Sequence, residues 1–233
     1  MLGHPALLRE HSRHLCPVDL ASVAVLFARS DSVYKGFHGC DVYDMARDAR
    51  TFAGGLPVIA HPPCRAWGRL RHFAKPRPDE KDLAFFAVDA VRTWGGVLEH
   101  PAGSTLWQVA GLPRLGQRDE FGGFTLPVPQ FWFGHRAFKN TWLYVVGISP
   151  ADIPAFPLVL GEAPCVLETR KKGSGVRPSI SRPEREATPL DFAVFLFNLA
   201  ASCKSGKDFT SQLHVKSATF LSRVVASKNA VNE

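Results

Sequence analysis

Short apolar runs, each ended by a turn signal, recur along the first two thirds of this chain. Runs at 22–28, 56–60 and 97–99 are rich in Val, Ala and Leu, and 141–146 is a fourth run of the same kind. A continuous apolar run of this length, bounded by Gly, Pro or charged residues, is typical of a strand buried on both faces of a sheet. The pattern therefore predicts four buried strands.

A helical pattern fills the chain between the second and third of these runs, where apolar residues recur at steps of three and four. We expect Asp79 to cap this helix and Gly95-Gly96 to end it. A second helix is expected to begin at Pro189, because proline suits the first turn of a helix. The order strand, helix, strand is that of a right-handed crossover, so the sequence predicts a parallel sheet in an α/β fold.

The length of 233 residues favours a single domain with a sizeable core. We expect residues 20–203 to form that domain, preceded by a basic arm at 1–19 and followed by a Ser- and Lys-rich tail at 204–233. Residues 150–185 are rich in Pro, Gly and Arg and are expected to form loops. No apolar run is long enough to span a bilayer, and no secretory signal is evident. The five cysteines are scattered without disulfide or metal spacing, so a reducing cytoplasm is expected.

The charge of the chain indicates a polyanionic partner. The net charge is +7 and the isoelectric point is near 9.4. One basic cluster directly follows Cys64, and a second lies within the loop region at 150–185. Phosphate contact is one interpretation of these clusters, and two solvated faces are the other. The basic residues that we single out for nucleic-acid contact are Arg65, Arg69, Arg71, Lys171 and Lys172.

Cys64 and Glu99 follow the second and third predicted strands and form the most informative pair in the sequence. In open α/β sheets ligands bind at the carboxyl ends of the strands, where both residues are expected. A thiolate that attacks C6 of a pyrimidine makes C5 nucleophilic, and a carboxylic acid at N3 stabilises the adduct. We expect Arg65 to favour the thiolate, and burial to keep Glu99 protonated part of the time.

These residues also have structural interpretations. Cys64 taken alone fits a buried structural thiol, and Glu99 taken alone fits a helix cap or an ion-pair partner. His61 and His100 lack a third ligand at metal-binding spacing, so no metal site is expected. Trp67, three residues after Cys64, is either a core residue or a platform on which a base stacks.

Three segments, in order and at compatible spacings, carry a family resemblance. The first is His61-Pro62-Pro63-Cys64, and the second is Glu99-His100-Pro101. The third is the block 133–143, which has the form FG-x-x-x-x-K-x-T-x-L and is preceded by Val128-Pro129-Gln130. Together they resemble the cytosine-5 DNA methyltransferase family, and most closely its compact phage-encoded members, over about residues 20 to 200.

The resemblance implies a Rossmann-like methyltransferase sheet that is mostly parallel, in a single domain with a reduced recognition segment at 150–185. It implies S-adenosylmethionine as the methyl donor, DNA as the partner, and the cytoplasm of a phage-infected or bacterial cell as the location. The donor is expected at the end of the first strand, with Asp41 or Asp44 binding its ribose hydroxyls. The residues implied in binding the donor are Phe27, Ala28, Arg29, Ser30, Asp41, Asp44 and Pro62.

The same resemblance implies roles for four catalytic residues. Cys64 would add to C6 of a cytosine flipped out of the duplex, and Glu99 would act at N3. Arg136 or Lys139 would approach the pyrimidine or the adduct. The basic loops would contact phosphates and so offset the free energy that flipping requires.

Two other functions stay open. The family's glycine-rich turn after the first strand is replaced by the segment 27–31, which reads Phe-Ala-Arg-Ser-Asp. Because glycine lets the backbone approach a cofactor closely, this change favours a protein that binds DNA or a nucleotide without methyl transfer. A Cys64 adduct would also serve an enzyme that modifies C5 of a free pyrimidine nucleotide with another one-carbon donor.

Overall fold

A six-stranded sheet with helices on both faces forms the described part of the chain, so the expected α/β fold is confirmed. The structure is a computed structural model that describes residues 22–167 and 177–205. Its strands are β1 Val23–Leu26, β2 Cys40–Val42, β3 Val58–Ala60, β4 Gly96–Pro101, β5 Phe124–Pro129 and β6 Asn140–Val146. Its α-helices are α1 Leu83–Trp94, α2 Leu106–Val109, α3 Arg182–Glu186 and α4 Leu190–Ala201.

The order of the strands creates a switch point beside β1. The order is β2-β1-β3-β4-β6-β5, with β2, β1, β3 and β4 paired in parallel and β6 antiparallel to both β4 and β5. The expected mostly parallel sheet is therefore present in part, because β6 runs against the other strands. The chain leaves β1 toward β2 on one side and returns as β3 on the other. Ligands bind at such a reversal, at the carboxyl ends of the strands.

The strands send alternate side chains into two apolar layers. Val23 and Val25 of β1 lie in the layer formed with α4, whereas Ala24 and Leu26 lie in the layer formed with α1. Because the sheet is buried on both faces, its central strands have the continuous apolar sequences that predicted them. The helix residues in these layers include Phe192, Phe195, Leu196 and Leu199 of α4, and Ala84, Ala87, Val88 and Val91 of α1.

The predicted helices are present with small changes at their ends. α1 begins at Leu83, so the expected cap at Asp79 is wrong, and the Asp79 carboxylate lies 3.4 Å from the Arg50 guanidinium instead. α4 begins directly after Pro189, close to its expected start. The sequence did not predict β2, β5, α2 or α3.

Parts of the expected domain organisation fall outside the described residues. The basic arm at 1–19, residues 168–176 of the loop region and residues 206–233 of the tail are among these. Within the described part of 150–185, the helical structure consists of a 3-10 turn, Pro150–Asp152, and α3. Among the helices that the structure describes, none combines the length and the apolar character that crossing a membrane requires.

Candidate active site

Cys64 and Glu99 lie at the carboxyl edge of the parallel strands, next to the switch point. β3 ends one residue before His61, whose N–H donates to the Leu26 carbonyl of β1 at 3.0 Å. The turn that carries Cys64 is closed by the Gly68 N–H, which donates to the Cys64 carbonyl at 2.8 Å. Glu99 lies within β4, the strand that pairs with β3. The pair predicted from sequence is therefore placed on the turn that follows β3 and on β4, the strand next to β3.

The Cys64 side chain is exposed, but its surroundings disfavour the thiolate. Desolvation by neighbouring protein atoms raises the pKa of the thiol, and the Glu99 carboxylate raises it further, while the Lys139 ammonium opposes both effects. The Arg65 guanidinium is paired with the Glu80 carboxylate at 2.6 Å. The expectation that Arg65 favours the thiolate is therefore wrong, and Lys139 is the cation that does so.

Two donors hold the Glu99 carboxylate as an anion. His61 Nδ1 lies 3.1 Å from Oε2, and Gln130 Nε2 donates to Oε1 at 3.2 Å. Desolvation raises the pKa of Glu99, but the hydrogen bond and charge of His61, with the charges of Lys139 and His100, outweigh it and lower the pKa to about 2. The expectation that burial keeps Glu99 protonated is therefore wrong.

Two buried side chains complete this network behind Glu99. Gln130 Nε2 also donates to Thr141 Oγ1 at 3.0 Å, which fixes the amide. The Tyr34 hydroxyl lies 3.3 Å from His61 Nε2, and only 1% of Tyr34 is exposed. In the sequence, Gln130 stands out only as part of Val128-Pro129-Gln130, and no motif points to Tyr34, which lies 27 positions from His61 in the chain.

Lys139 and Arg136 have different surroundings. Desolvation lowers the pKa of Lys139, although Glu99 and Cys64 act in the opposite direction. The Lys139 Nζ donates to the Ala187 carbonyl at 3.3 Å, just after α3. Arg136 instead forms a two-pronged ion pair with Glu184 at 2.7 and 2.6 Å. Of the two candidates, Lys139 is the one whose charge acts on both Cys64 and Glu99.

The turn after β1, where the resemblance places the methyl donor, has an unusual backbone. Phe27 has φ of 62°, a left-handed conformation that non-glycine residues rarely adopt. The Arg29 guanidinium pairs with Asp31 at 2.8 Å and with Glu186 of α3 at 3.3 Å, so α3 is tied to this turn. Among the other residues expected to bind the donor, Ala28 and Pro62 are buried and Ser30 is exposed.

The two acidic residues considered for the donor's ribose have partners of their own. Asp41 in β2 pairs with the Arg47 guanidinium, half of which is exposed. Asp44 pairs with Lys35 Nζ at 2.6 Å and accepts from two backbone N–H groups, those of residues 46 and 47, at 2.9 and 3.1 Å. The Lys35 hydrogen bond and these N–H groups lower the pKa of Asp44 to about 2. Asp41 is therefore the more available of the two.

A buried carboxylate anchors the basic loop that follows Cys64. Glu80 has no exposed surface and lies 2.6 Å from the Arg65 guanidinium and 3.6 Å from that of Arg77. Trp67 is 1% exposed and packs edge-on against Phe85. The expectation that Trp67 stacks on a base is therefore wrong, because the indole is part of the core that holds the loop.

The tip of this loop exposes apolar side chains among cations. Leu70, which is 63% exposed, precedes a 3-10 turn, Arg71–Phe73, and Phe73, which is 86% exposed, ends it. Exposed apolar groups this large normally mark a binding surface when they are grouped. Lys171 and Lys172, the other predicted phosphate contacts, lie outside the described residues. The cationic or titratable neighbours of the tip in sequence are Arg69, Arg71, His72 and Lys75.

A surface cleft adjoins the candidate site. It has a volume of about 190 Å³ and its lining includes Arg136, Glu184 and Ala187, the last of which binds Lys139. Within residues 22–167 and 177–205, no three His, Cys, Asp or Glu side chains are grouped so that they could hold a metal ion. The side chains that the site offers for chemistry include the Cys64 thiol, the Glu99 carboxylate, the His61 imidazole and the Lys139 ammonium.

Comparisons of the chain with protein-family models, with curated proteins and with solved structures gave no match. The function is therefore inferred from the geometry of the site and from the sequence motifs.

Proposed function

We propose that the protein transfers a methyl group from S-adenosylmethionine to carbon 5 of cytosine in DNA through a covalent adduct at Cys64. One observation carries this proposal. Cys64, Glu99 and Lys139 come from three separate parts of the chain, yet they form one electrostatically coupled group at the carboxyl edge of the sheet. A Rossmann-like methyltransferase sheet is part of the proposal, supported by the switch point beside β1.

The residues account for the main steps of this reaction. The Cys64 thiol gives its proton to solvent, and the thiolate bonds to C6 while ring N3 takes a proton from the protonated Glu99 carboxyl; the π electrons of the C5–C6 bond then make C5 nucleophilic. C5 would take the methyl group that S-adenosylmethionine supplies, with S-adenosylhomocysteine as the leaving group. Loss of the C5 proton to solvent restores the C5–C6 double bond and breaks the bond from sulfur to C6, and N3 returns its proton to Glu99. Because the Glu99 charge raises the pKa of Cys64, a proton at Glu99 also favours the thiolate.

The residues around β1 fit a methyl donor in part. The left-handed backbone at Phe27 gives the turn a conformation that glycine usually provides. Asp41 would bind the ribose hydroxyls by exchanging its exposed ion pair with Arg47. Asp44 fits this role less well, because its carboxylate already serves Lys35 and two backbone N–H groups.

Calorimetry with S-adenosylmethionine, followed by a methyl-transfer assay on mixed-sequence DNA, tests the proposal. We expect saturable binding of the donor and the appearance of 5-methylcytosine in the DNA. Asp41→Asn is expected to weaken donor binding more than Asp44→Asn, because the Asp44 carboxylate is already bound to Lys35 and to two backbone N–H groups. Absence of both binding and transfer would contradict the proposal.

One observation favours a second function, a DNA- or nucleotide-binding protein without methyl transfer. The Arg29 ion pairs with Asp31 and Glu186 occupy the turn after β1 in the place where the donor is expected. A protein that binds DNA but shows no heat of binding with S-adenosylmethionine would have this function. If the Arg29→Ala variant then bound S-adenosylmethionine, the Arg29 side chain would be the group that blocks donor binding in the wild type.

Phe73 is expected to contribute to DNA binding. The anchored loop presents this exposed ring between cations, an arrangement suited to stacking on a base next to bound phosphates. Phe73→Ser should weaken binding of single-stranded DNA about tenfold, because one stacked base is worth about 1–3 kcal/mol. Fluorescence anisotropy with a labelled oligonucleotide at fixed salt measures the change.

Leu160→Ser is the matched control for this variant. Its side chain is 85% exposed and lies in the segment between β6 and α3. Equal affinities of the two variants would show that exposed apolar surface in general, and not the loop tip, determines binding.

A further inference from the structure

The hydrogen bonds of Glu99 distinguish its two partners by what each can donate. Gln130 Nε2 donates to Glu99 Oε1 and to Thr141, and a side-chain amide does not release a proton in water near neutral pH. His61 Nδ1, 3.1 Å from Oε2, belongs to an imidazole, whose ring nitrogens can donate or accept a proton. Of these two partners, only His61 can therefore change the protonation state of Glu99.

The His61 ring is held on both sides. Its Nδ1 faces Glu99 of β4, and its Nε2 faces the buried Tyr34 hydroxyl at 3.3 Å. Only 13% of the His61 side chain and 13% of the Glu99 side chain are exposed, so water has limited access to the pair. Besides Tyr34, the titratable groups coupled to Glu99 are Cys64 on the same loop as His61, Lys139 before β6, and His100 next to Glu99 in β4.

We propose that His61 is a positioning residue that stores the proton which Glu99 delivers to the pyrimidine. This inference rests on the proposed function and adds to it the source of the proton. The geometry supports this proposal, because the two hydrogen-bond partners of the Glu99 carboxylate are the Gln130 amide, which releases no proton, and the His61 imidazole, which can release one.

The step balances in protons and electrons. The Cys64 thiol first gives its proton to solvent. As the thiolate sulfur then bonds to C6, the proton on His61 Nδ1 moves to Glu99 Oε2 and a proton moves from the Glu99 carboxyl to N3. His61 is left neutral and Glu99 is again an anion. When the bond from sulfur to C6 breaks, N3 returns its proton through Glu99 to His61.

Two variants separate proton storage from simple positioning. His61→Gln keeps an N–H donor for Glu99 but carries no exchangeable charge, whereas His61→Phe keeps neither. If His61 stores the proton, kcat falls about a hundredfold in both variants, because general acid–base groups contribute about 10²–10⁴-fold. KM for DNA should change little. His38→Gln, at an exposed histidine, is the matched control and should retain wild-type kcat.

The pH dependence of kcat provides a readout that a structural role does not change. The wild type and His61→Gln should differ in the pH dependence of kcat, because only the wild type has a side chain at position 61 that can exchange a proton with Glu99. Wild-type kcat in His61→Gln would overturn this inference alone. Absence of methyl transfer by the wild type would overturn the proposed function together with it.

Titration of Glu99 by carbon-13 NMR tests the coupling without activity. The pKa of Glu99, about 2 with His61 present, should rise in His61→Phe because the largest stabilising partner is removed. It should rise less in His61→Gln, which retains a donor. An unchanged Glu99 titration in both variants would overturn the inference, even if the protein methylates DNA.

Discussion

Replacing Cys64 with alanine is expected to abolish methyl transfer while leaving the fold intact. Loss of a catalytic nucleophile typically lowers kcat by a factor of at least about a thousand. The Cys64 side chain is exposed, so the free energy of unfolding should change by less than about 0.5 kcal/mol. Incorporation of a radiolabelled methyl group into DNA measures the first effect, and urea unfolding measures the second.

Cys40→Ala is the matched control for this experiment. Cys40 is half-buried at the start of β2, where desolvation raises the pKa of its thiol to about 11. That variant should retain methyl transfer. If Cys64→Ala methylated DNA at the wild-type rate, Cys64 would not be the nucleophile.

Gly96→Ala is expected to lower the free energy of unfolding by at least about 3 kcal/mol, because it combines backbone strain with a steric clash. Gly96 has φ of +114°, and a Cβ there would lie 2.1 Å from the Val58 carbonyl oxygen and 2.5 Å from its nitrogen. Those atoms belong to β3, the paired strand that leads to His61 and Cys64. Urea unfolding followed by circular dichroism measures the loss.

Gly103→Ala separates the two causes. Gly103 also has a positive φ, +75°, but a Cβ there would meet nothing within 4 Å. Gly103→Ala should therefore lower the free energy of unfolding only by the strain of the left-handed backbone, about 1–2 kcal/mol. If Gly96→Ala were no more destabilising than Gly103→Ala, the close approach of β3 and β4 at this point would be wrong.

The central strands were predictable because burial on both faces leaves a continuous apolar sequence. The edge strands were not. β5 contains Pro127 and Pro129, which argue against a strand, yet β5 is the last strand in the sheet, where proline is tolerated. β2 has three half-buried residues in a charged stretch, too few for a recognisable alternation.

The positions of the strand ends predicted that Cys64 and Glu99 share one edge of the sheet. The ion-pair partners of the nearby arginines could not be predicted in this way. Arg65 pairs with Glu80 and Arg136 pairs with Glu184, 48 residues away, and local sequence does not encode such distant pairings. The ionisation of Glu99 was predicted wrongly because burial alone was considered. The hydrogen bond and charge of His61, which with the charges of Lys139 and His100 outweigh desolvation, depend on how β3, β4 and the segment before β6 meet.

Covalent trapping tests the central claim most directly. DNA containing 5-fluorocytosine is incubated with the protein and S-adenosylmethionine; fluorine at C5 cannot leave as a proton, so the adduct persists. We expect mass spectrometry to identify a peptide with a nucleotide attached at residue 64, and to find no such peptide from Cys64→Ala. An adduct at any other cysteine, or the same trapping by Cys64→Ala, would contradict it.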